Sequence, residues 1–406
     1  MGSYVKHRPG DFAEMLSMAT PRQAEYIEAL GSHGNASAAA KSLGVCESSI
    51  RVSLGRLKML AAARGVGSTL NPSLIPDGYE VRGTSTLVDE EGKPKIQWIK
   101  TSKTNFDLKS QVEDMVAHLA DEVRGKAEPV DPPTDFESDT CTIYPIADQH
   151  LGLYAYGNES GDDWNSAMSS EVLLSAITRL VDGAPSSRVA VVAGLGDYFH
   201  ADSSSNRTAK SGHPLDVDGR YHEVMAMGVD LMRGLIDACL AKHETVHVIN
   251  VIGNHDEHSS IALDFIIAAY YSNEPRVIVD RSASKHKRFR FGKCLIAFTH
   301  GDTVKPVELP MIMADQWPSD WAAATAHRTF LHGHIHTQTK WEFRGCTIES
   351  FRTLTASDSW HTANGYKAGR DISRITYHKD WGEIERSKIG IAQIAQGINR
   401  SKYKIA

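Results

Sequence analysis

The chain has 406 residues, 41% hydrophobic and 23% charged, and no apolar run near the roughly 18 residues of a membrane span, so a multidomain protein outside the membrane is expected. Five widely spaced cysteines (Cys46, Cys141, Cys239, Cys294 and Cys346) argue against a disulfide framework and a thiolate zinc site. The leading MGSYVKHRPGDFAEM lacks the apolar segment of a secretory signal, and a cytoplasmic location is expected. The net charge of −6 is uneven, because Lys6, Arg8, Arg22, Lys41, Arg51, Arg56, Lys58 and Arg64 outnumber five acidic residues before position 66, giving +3 there and −9 beyond.

In chain order, three helices are predicted first: Pro21 to Leu30, Ala36 to Leu43 and Glu47 to Ala63. Pro21 suits a first helical turn, Asn35 a cap and Gly44 the turn after the second helix. Ile50, Leu54, Leu57 and Ala61 recur at helical spacing, with Arg51, Arg56 and Lys58 on other faces. Next come a short hairpin in NPSLIPDGYEVRG and DEEGKPKIQW, a helix in LKSQVEDMVAHLADEV and a linker in EPVDPPTDFESD. From Cys141 strands and helices alternate, an α/β signature. The strands are CTIYPIA, SRVAVVAGL, TVHVINVI, CLIAFT and RTFLH; EVLLSAITRLVDG and GRYHEVMAMGVDLMRGLIDACLAKH are helices between the early ones.

Each strand is followed by residues able to bind metal: Asp148-Gln-His150, Gly196-Asp197-Tyr-Phe-His200, Gly253-Asn254-His255-Asp256, Thr299-His300-Gly301-Asp302 and Gly333-His334-Ile-His336. Open α/β folds put their active sites at such carboxyl ends. Alternation along a strand would aim Asp148 and His150 at one metal, and Gly196, Gly253 and Gly333 would let the backbone turn sharply. Mixed oxygen and imidazole donors suit manganese, iron or zinc, and the seven among them at Asp148, His150, Asp197, Asn254, His300, His334 and His336 exceed what one ion needs. Two divalent cations are expected, manganese first, with Fe2+, Zn2+, Mg2+ and Ni2+ as alternatives. His243 and His286 are read as structural, and His332 as a strand-end residue.

Taken together, D-x-H, G-D-x-x-H, G-N-H-D, the isolated histidine and G-H-x-H resemble the calcineurin-like metallophosphoesterase superfamily over about residues 140–380. The resemblance implies an α/β sandwich of two mixed β-sheets flanked by helices, and phosphoester hydrolysis by a hydroxide held between two metals. It assigns Asp148, His150 and His336 to one metal, Asn254, His300 and His334 to the other, and Asp197 to both. It makes His255 the group that stabilises or protonates the leaving oxygen, oriented by Asp256. G-D-x-F-H, with His200, resembles the DNA-repair exonuclease branch, which favours a phosphodiester. The polar stretch after His200 departs from the family pattern; Asn206, Arg207 and Lys210 are its candidate substrate contacts.

Residues 20–65 resemble the helix-turn-helix of sigma-factor and terminase-like DNA-binding domains, with Ala40, Gly44 and Ile50 at the positions where two helices cross. On that reading Ser48, Ser49, Arg51 and Val52 meet base edges, and Arg56 and Lys58 meet phosphates. A helical protein-interaction bundle is the alternative. The expected organisation is a small all-α helix-turn-helix domain (1–65), a connector with a short hairpin and helix (66–139), a phosphoesterase domain (140–385) and a tail (386–406). The pairing looks like phage-encoded DNA-processing enzymes. The expected activity is a DNA phosphodiesterase or nuclease; RNA, nucleotides or phosphomonoesters are alternative substrates, and a DNA-binding regulator built on the same scaffold is a rival. DNA is the expected partner and a membrane is not; the oligomeric state, including a homodimer, is open.

Overall fold

The computed structural model describes residues 15–16, 18–63, 79–88, 94–103, 120, 122–208 and 212–395. They fall into two compact units, one within residues 1–114 and one within 115–406.

In the first unit, α1 (Pro21–His33), α2 (Ala36–Leu43) and α3 (Glu47–Ala63) close around Leu30, Ala39, Ile50, Leu54 and Leu57, all fully buried. Local chemistry sets the helix ends. Thr20 and Gln23 form a reciprocal capping box before α1, and the Asn35 side chain accepts from Ala38 N at 2.9 Å before α2. Gly44 ends α2 with φ 63°, a left-handed conformation cheap only for glycine. Beyond these helices, β1 (Tyr79–Val88) and β2 (Pro94–Lys103) pair antiparallel. At ten residues each, they make a longer hairpin than its turn residues indicated, because TSTLV and QWIKT continue the ladder past Gly83. Most of the expected helix at 108–123 lies outside the described residues.

The second unit stacks two mixed sheets, the expected α/β arrangement. Its strands are β3 (Glu137–Ile146), β4 (Ser187–Gly194), β5 (Thr245–Asn250), β6 (Val277–Val279), β7 (His286–Phe291), β8 (Cys294–Thr299), β9 (His327–His332), β10 (Thr339–Phe343), β11 (Cys346–Ser350), β12 (Asp371–His378) and β13 (Gly382–Gly390). The six-stranded sheet runs β13-β12-β3-β4-β5-β6, and the five-stranded sheet β10-β11-β9-β8-β7. Strands β3 to β6 are mutually parallel, as are β8, β9 and β11.

Side-chain alternation builds the layers. Ile143, Val191, Ala193 and Ile249 from one sheet meet Ile296, Phe298 and Leu331 from the other. The opposite-facing Tyr144, Ala190, Val192, Val246 and Val248 pack on α5 (Ser166–Asp182), α6 (Tyr221–Leu240) and α7 (Glu257–Tyr270), which follow the one-turn helix α4 (Gly157–Ser160). Leu295, Ala297 and Phe330 pack on Leu309 and Met313 of α8 (Leu309–Gln316). The remaining helices are short: α9 (Pro318–Ala323), α10 (Ser359–Ala363) and α11 (Ile391–Ile394). No helix among the described residues is long and apolar enough to cross a membrane, and all five cysteines are free thiols.

Candidate metal centre

Five strands, three from one sheet and two from the other, end at a common place. Their trailing residues converge there. His336 Nε2 lies 3.3 Å from Asp148 Oδ1 and 3.3 Å from His150 Nε2. Next to this trio, His300 Nε2 lies 3.0 Å from Asn254 Oδ1 and 3.1 Å from Asp197 Oδ2, with the His334 ring 4.9 Å from that of His300. The same Asp197 oxygen is 3.9 Å from His150 Nε2, so Asp197 stands between the two groups. All seven residues are thus brought together.

The backbone there is unusual. Among the described residues seven non-glycines have positive φ, and five are candidate ligands: Asp148 (50°), His150 (43°), Asp197 (51°), His334 (70°) and His336 (53°). Left-handed backbone at such residues costs on the order of 1–3 kcal/mol each. Strand alternation therefore does not align Asp148 with His150: β3 ends at Ile146, and two left-handed residues aim the pair. Buried hydroxyls tie this loop down, Thr353 Oγ1 donating to Asp148 O and Thr355 Oγ1 to Gln149 O, both at 2.6 Å. The His334 amide donates to both Asp148 oxygens at 2.9 Å, linking the loops after β3 and β9.

Of Gly196, Gly253 and Gly333, Gly196 alone has positive φ, at 86°. Gly253 and Gly333 are required by close approach instead: a Cβ on Gly253 would fall on the Asp197 carboxylate, and one on Gly333 on the Asp148 carboxylate.

Burial sets the protonation pattern. It pushes His150 well below the usual imidazole range, helped by repulsion from His255, and lowers His334. Burial opposes a proton on His300 as well, but Asp197 and Asp148 lift it to about 10; burial likewise disfavours charge on Asp197, yet His300 holds that carboxyl well below its usual range. Carboxylates and imidazoles packed together, with His150 nitrogens 3.3 Å from nitrogens of His336 and His200, are the donor chemistry of a borderline divalent cation. The residues fit two such ions, and no thiolate joins them.

His255 and His200 lie beside His150. The His255 ring meets His150 edge-on at 4.8 Å and stacks on His200 at 5.5 Å. Its Nδ1 donates to the His200 carbonyl at 2.8 Å, leaving Nε2 for the centre, and its amide donates to Asp197 Oδ1 at 2.8 Å. Asp256 does not orient this ring, contrary to the sequence reading. Its buried carboxylate accepts from the Gly253 and Phe199 amides, both at 3.1 Å, so it braces the loops after β4 and β5. Burial, then the Asp197 charge, pushes Asp256 up to about 6. His200 Nδ1 faces His150 Nδ1 at 3.3 Å, and burial followed by His255 lowers it to about 3. A neutral His200 can accept from that nitrogen and fix the His150 tautomer.

His332 ends β9 with Nδ1 on the Gly333 carbonyl at 3.0 Å, and Asp302 meets Lys285 Nζ at 3.3 Å. Arg207 turns back to its own loop, donating to Gly212 O at 2.7 Å, while Lys210 lies outside the described residues. In the first unit Ser48, Ser49, Val52 and Arg56 are exposed, Arg51 Nε donates to Glu47 Oε1 at 2.7 Å, and the Lys58 side chain lies outside the described residues. Two features had no motif to announce them. Asp202 caps α7, accepting from the His258 and Ser259 amides, and His361 stacks on His336 at 5.1 Å.

No family model matches the chain, and no curated protein does. Among solved structures it is similar to an uncharacterised predicted phosphoesterase from Streptococcus pneumoniae TIGR4 (12% identity, 63% of this chain and 99% of that one, TM-score 0.27). It is also similar to Vps29 complexed with Zn2+ from Entamoeba histolytica (13%, 61% and 98%, 0.26) and to a dimetal phosphatase from Danio rerio (12%, 61% and 98%, 0.32). At these identities and TM-scores the likenesses carry no argument about activity.

Proposed function

We propose that the chain is a phosphoester hydrolase working with two divalent cations, and that its ester lies in a nucleic acid, DNA foremost. The observation that carries this is the pair of donor sets flanking Asp197, fed from both sheets. Asp148, His150 and His336 would hold one cation, Asn254, His300 and His334 the other, with Asp197 shared. Bound there, the cations supply charge neutralisation for phosphoryl oxygens and acidify water.

The chain's own residues do the rest. The His200 carbonyl fixes the His255 ring through Nδ1–H, so in its cationic form His255 offers Nε2–H to a leaving oxygen. Asp256 holds Gly253 and Phe199, and so keeps Asp197 and His255 in register. His200 accepts from His150 and fixes which nitrogen that ring turns to the centre.

G-D-Y-F-H and the +3 charge of residues 1–65, with Ser48, Ser49 and Arg56 exposed on α3, support DNA as the substrate and a helix-turn-helix reading of α1 to α3. The net −9 of residues 66–406 favours a second reading, a nucleotide or other small phosphoester. Digestion of labelled single- and double-stranded DNA across Mn2+, Fe2+, Zn2+, Mg2+ and Ni2+ tests both. Cleavage lost in Asp197→Ala and His255→Ala is expected; turnover of a phosphomonoester with no cut in either DNA would overturn the nuclease reading.

A further inference from the structure

The segment between β11 and β12 carries a second feature, one ring away from the centre. His361 stacks on His336 at 5.1 Å and 16°. Asp358 sets that ring, accepting from His361 Nδ1 at 2.7 Å and from its amide at 2.8 Å. Trp360 meets His361 edge-on at 5.1 Å and stacks on Tyr366 at 5.7 Å and 26°. Both outer rings are open to solvent, Trp360 at 55% and Tyr366 at 60%. Large aromatics exposed together at the rim of a buried polar site are costly unless something covers them.

Beside this group, a cavity of about 290 Å³ is lined by Tyr154, Tyr156, Glu159, Asp216 and Ser359, the last being the neighbour of Trp360. Its polar groups include two exposed carboxylates, and Asp216 already accepts from Ser359 Oγ at 3.0 Å. A phosphate would be repelled there. A planar ring bearing exocyclic amino donors would stack on the aromatics and donate to the carboxylates.

We propose that Trp360 and Tyr366 form a stacking platform for a nucleobase of the substrate, with the Asp216 and Glu159 cavity receiving its amino edge, while the attached phosphate lies at the metal centre. This rests on the phosphoester reading above and narrows its substrate to nucleotide-bearing esters. A phenyl phosphate such as phosphotyrosine offers a ring without amino donors, and so meets half of the site.

Binding to the full-length protein, followed by tryptophan fluorescence and calorimetry, separates the claims. The probes are 5′-AMP, ribose 5-phosphate, which keeps the phosphate and lacks the base, and phosphotyrosine. With Mn2+ present, 5′-AMP is expected to bind at least tenfold more tightly than the other two and to quench fluorescence. Trp360→Ala and Tyr366→Ala, both at exposed positions, should weaken 5′-AMP about tenfold, in the range known for base–aromatic stacking, while Trp360→Phe retains most of the affinity. Equal affinity for 5′-AMP and ribose 5-phosphate, no detectable 5′-AMP binding, or variants indistinguishable from the parent would overturn the platform; phosphotyrosine binding as tightly as 5′-AMP would overturn its specificity for bases. Hydrolysis of the adenine dinucleotide d(ApA), whose bases carry the exocyclic amino group, is measured in parallel. No turnover alongside Trp360-dependent 5′-AMP binding would remove the hydrolase reading and leave the platform standing.

Discussion

At the scale of single residues, conformational cost and chemistry coincide. His334 has φ 70°, and its side chain, which meets the His300 ring, is open enough to solvent for its removal to test the backbone cost there. His334→Gly should raise the thermal midpoint of the chelated protein by about 2 °C, from roughly 1 kcal/mol of relieved left-handed strain, while weakening metal binding. A lower midpoint in scanning calorimetry would show that the backbone stores no strain there. His243 illustrates the opposite kind of histidine. It is fully buried, with Nε2 2.8 Å from Tyr144 Oη and Nδ1 2.8 Å from Ser187 O, and burial lowers it to about 4. The unfolded chain takes up this proton near pH 6.5 and the folded one only near 4. Its contribution of about 3 kcal/mol is therefore complete above pH 6.5, erodes as pH falls, and is gone below 4. Urea unfolding at several pH values should show a shallower acid slope for His243→Gln than for the parent, both chelated so that the centre's own titration appears in each curve. The D-x-H and G-H-x-H residues were legible as candidate ligands because their types and order are rare. Their left-handed backbone was not, since Asp and His carry no local signature of positive φ comparable with glycine's. Asp256 was misread for a related reason: adjacency to His255 in sequence says nothing about which backbone amides its carboxylate meets.

At the scale of elements, the loops after β3, β4, β5, β8 and β9 act as one structure. Gly253→Ala probes this without touching a ligand. The new methyl would displace the Asp197 carboxylate or the loop carrying Asn254, so activity should fall as far as in Asp197→Ala, with about 1–3 kcal/mol lost by overpacking. Retained turnover, measured beside a denaturation curve, would show that the loop has slack. The five central strands were readable because parallel strands buried on both faces are near-continuous apolar runs. Outer strands such as β7 (HKRFRF), β10 (TKWEF) and β13 (GEIERSKIG) were not, because half-exposed edges carry the same polar residues as loops. Helix α10 was missed as well; five residues give no period, and its meaning comes from His361 reaching His336 across the fold.

For the whole molecule, the two units give a thermodynamic expectation. Cations bound at the candidate centre would stabilise the second unit by mass action, about 4 kcal/mol at a thousandfold excess over the dissociation constant, with no such group of donors among the described residues of the unit within residues 1–114. Chelation should therefore move one calorimetric transition by several degrees and leave the other in place; a uniform shift of all transitions would contradict it. The helical head was legible through Asn35, Gly44 and the Ile50, Leu54, Leu57 spacing, because capping and a 3.6-residue period are local. Its role stayed beyond reach, since the same spacing builds DNA readers and protein-binding bundles.

The left-handed backbone of the candidate ligands also bears on descent. A lineage that ceased to use the cations would lose the reason to keep Asp148, His150, Asp197, His334 and His336 and would still inherit their backbone. Drift at those five positions would then run towards glycine and asparagine, and away from valine, isoleucine and threonine, whose branched Cβ atoms fit such backbone worst. A relative with glycine or asparagine at these sites would record a lost centre on a retained scaffold, and its own stability curve would lie above that of the metal-free parent.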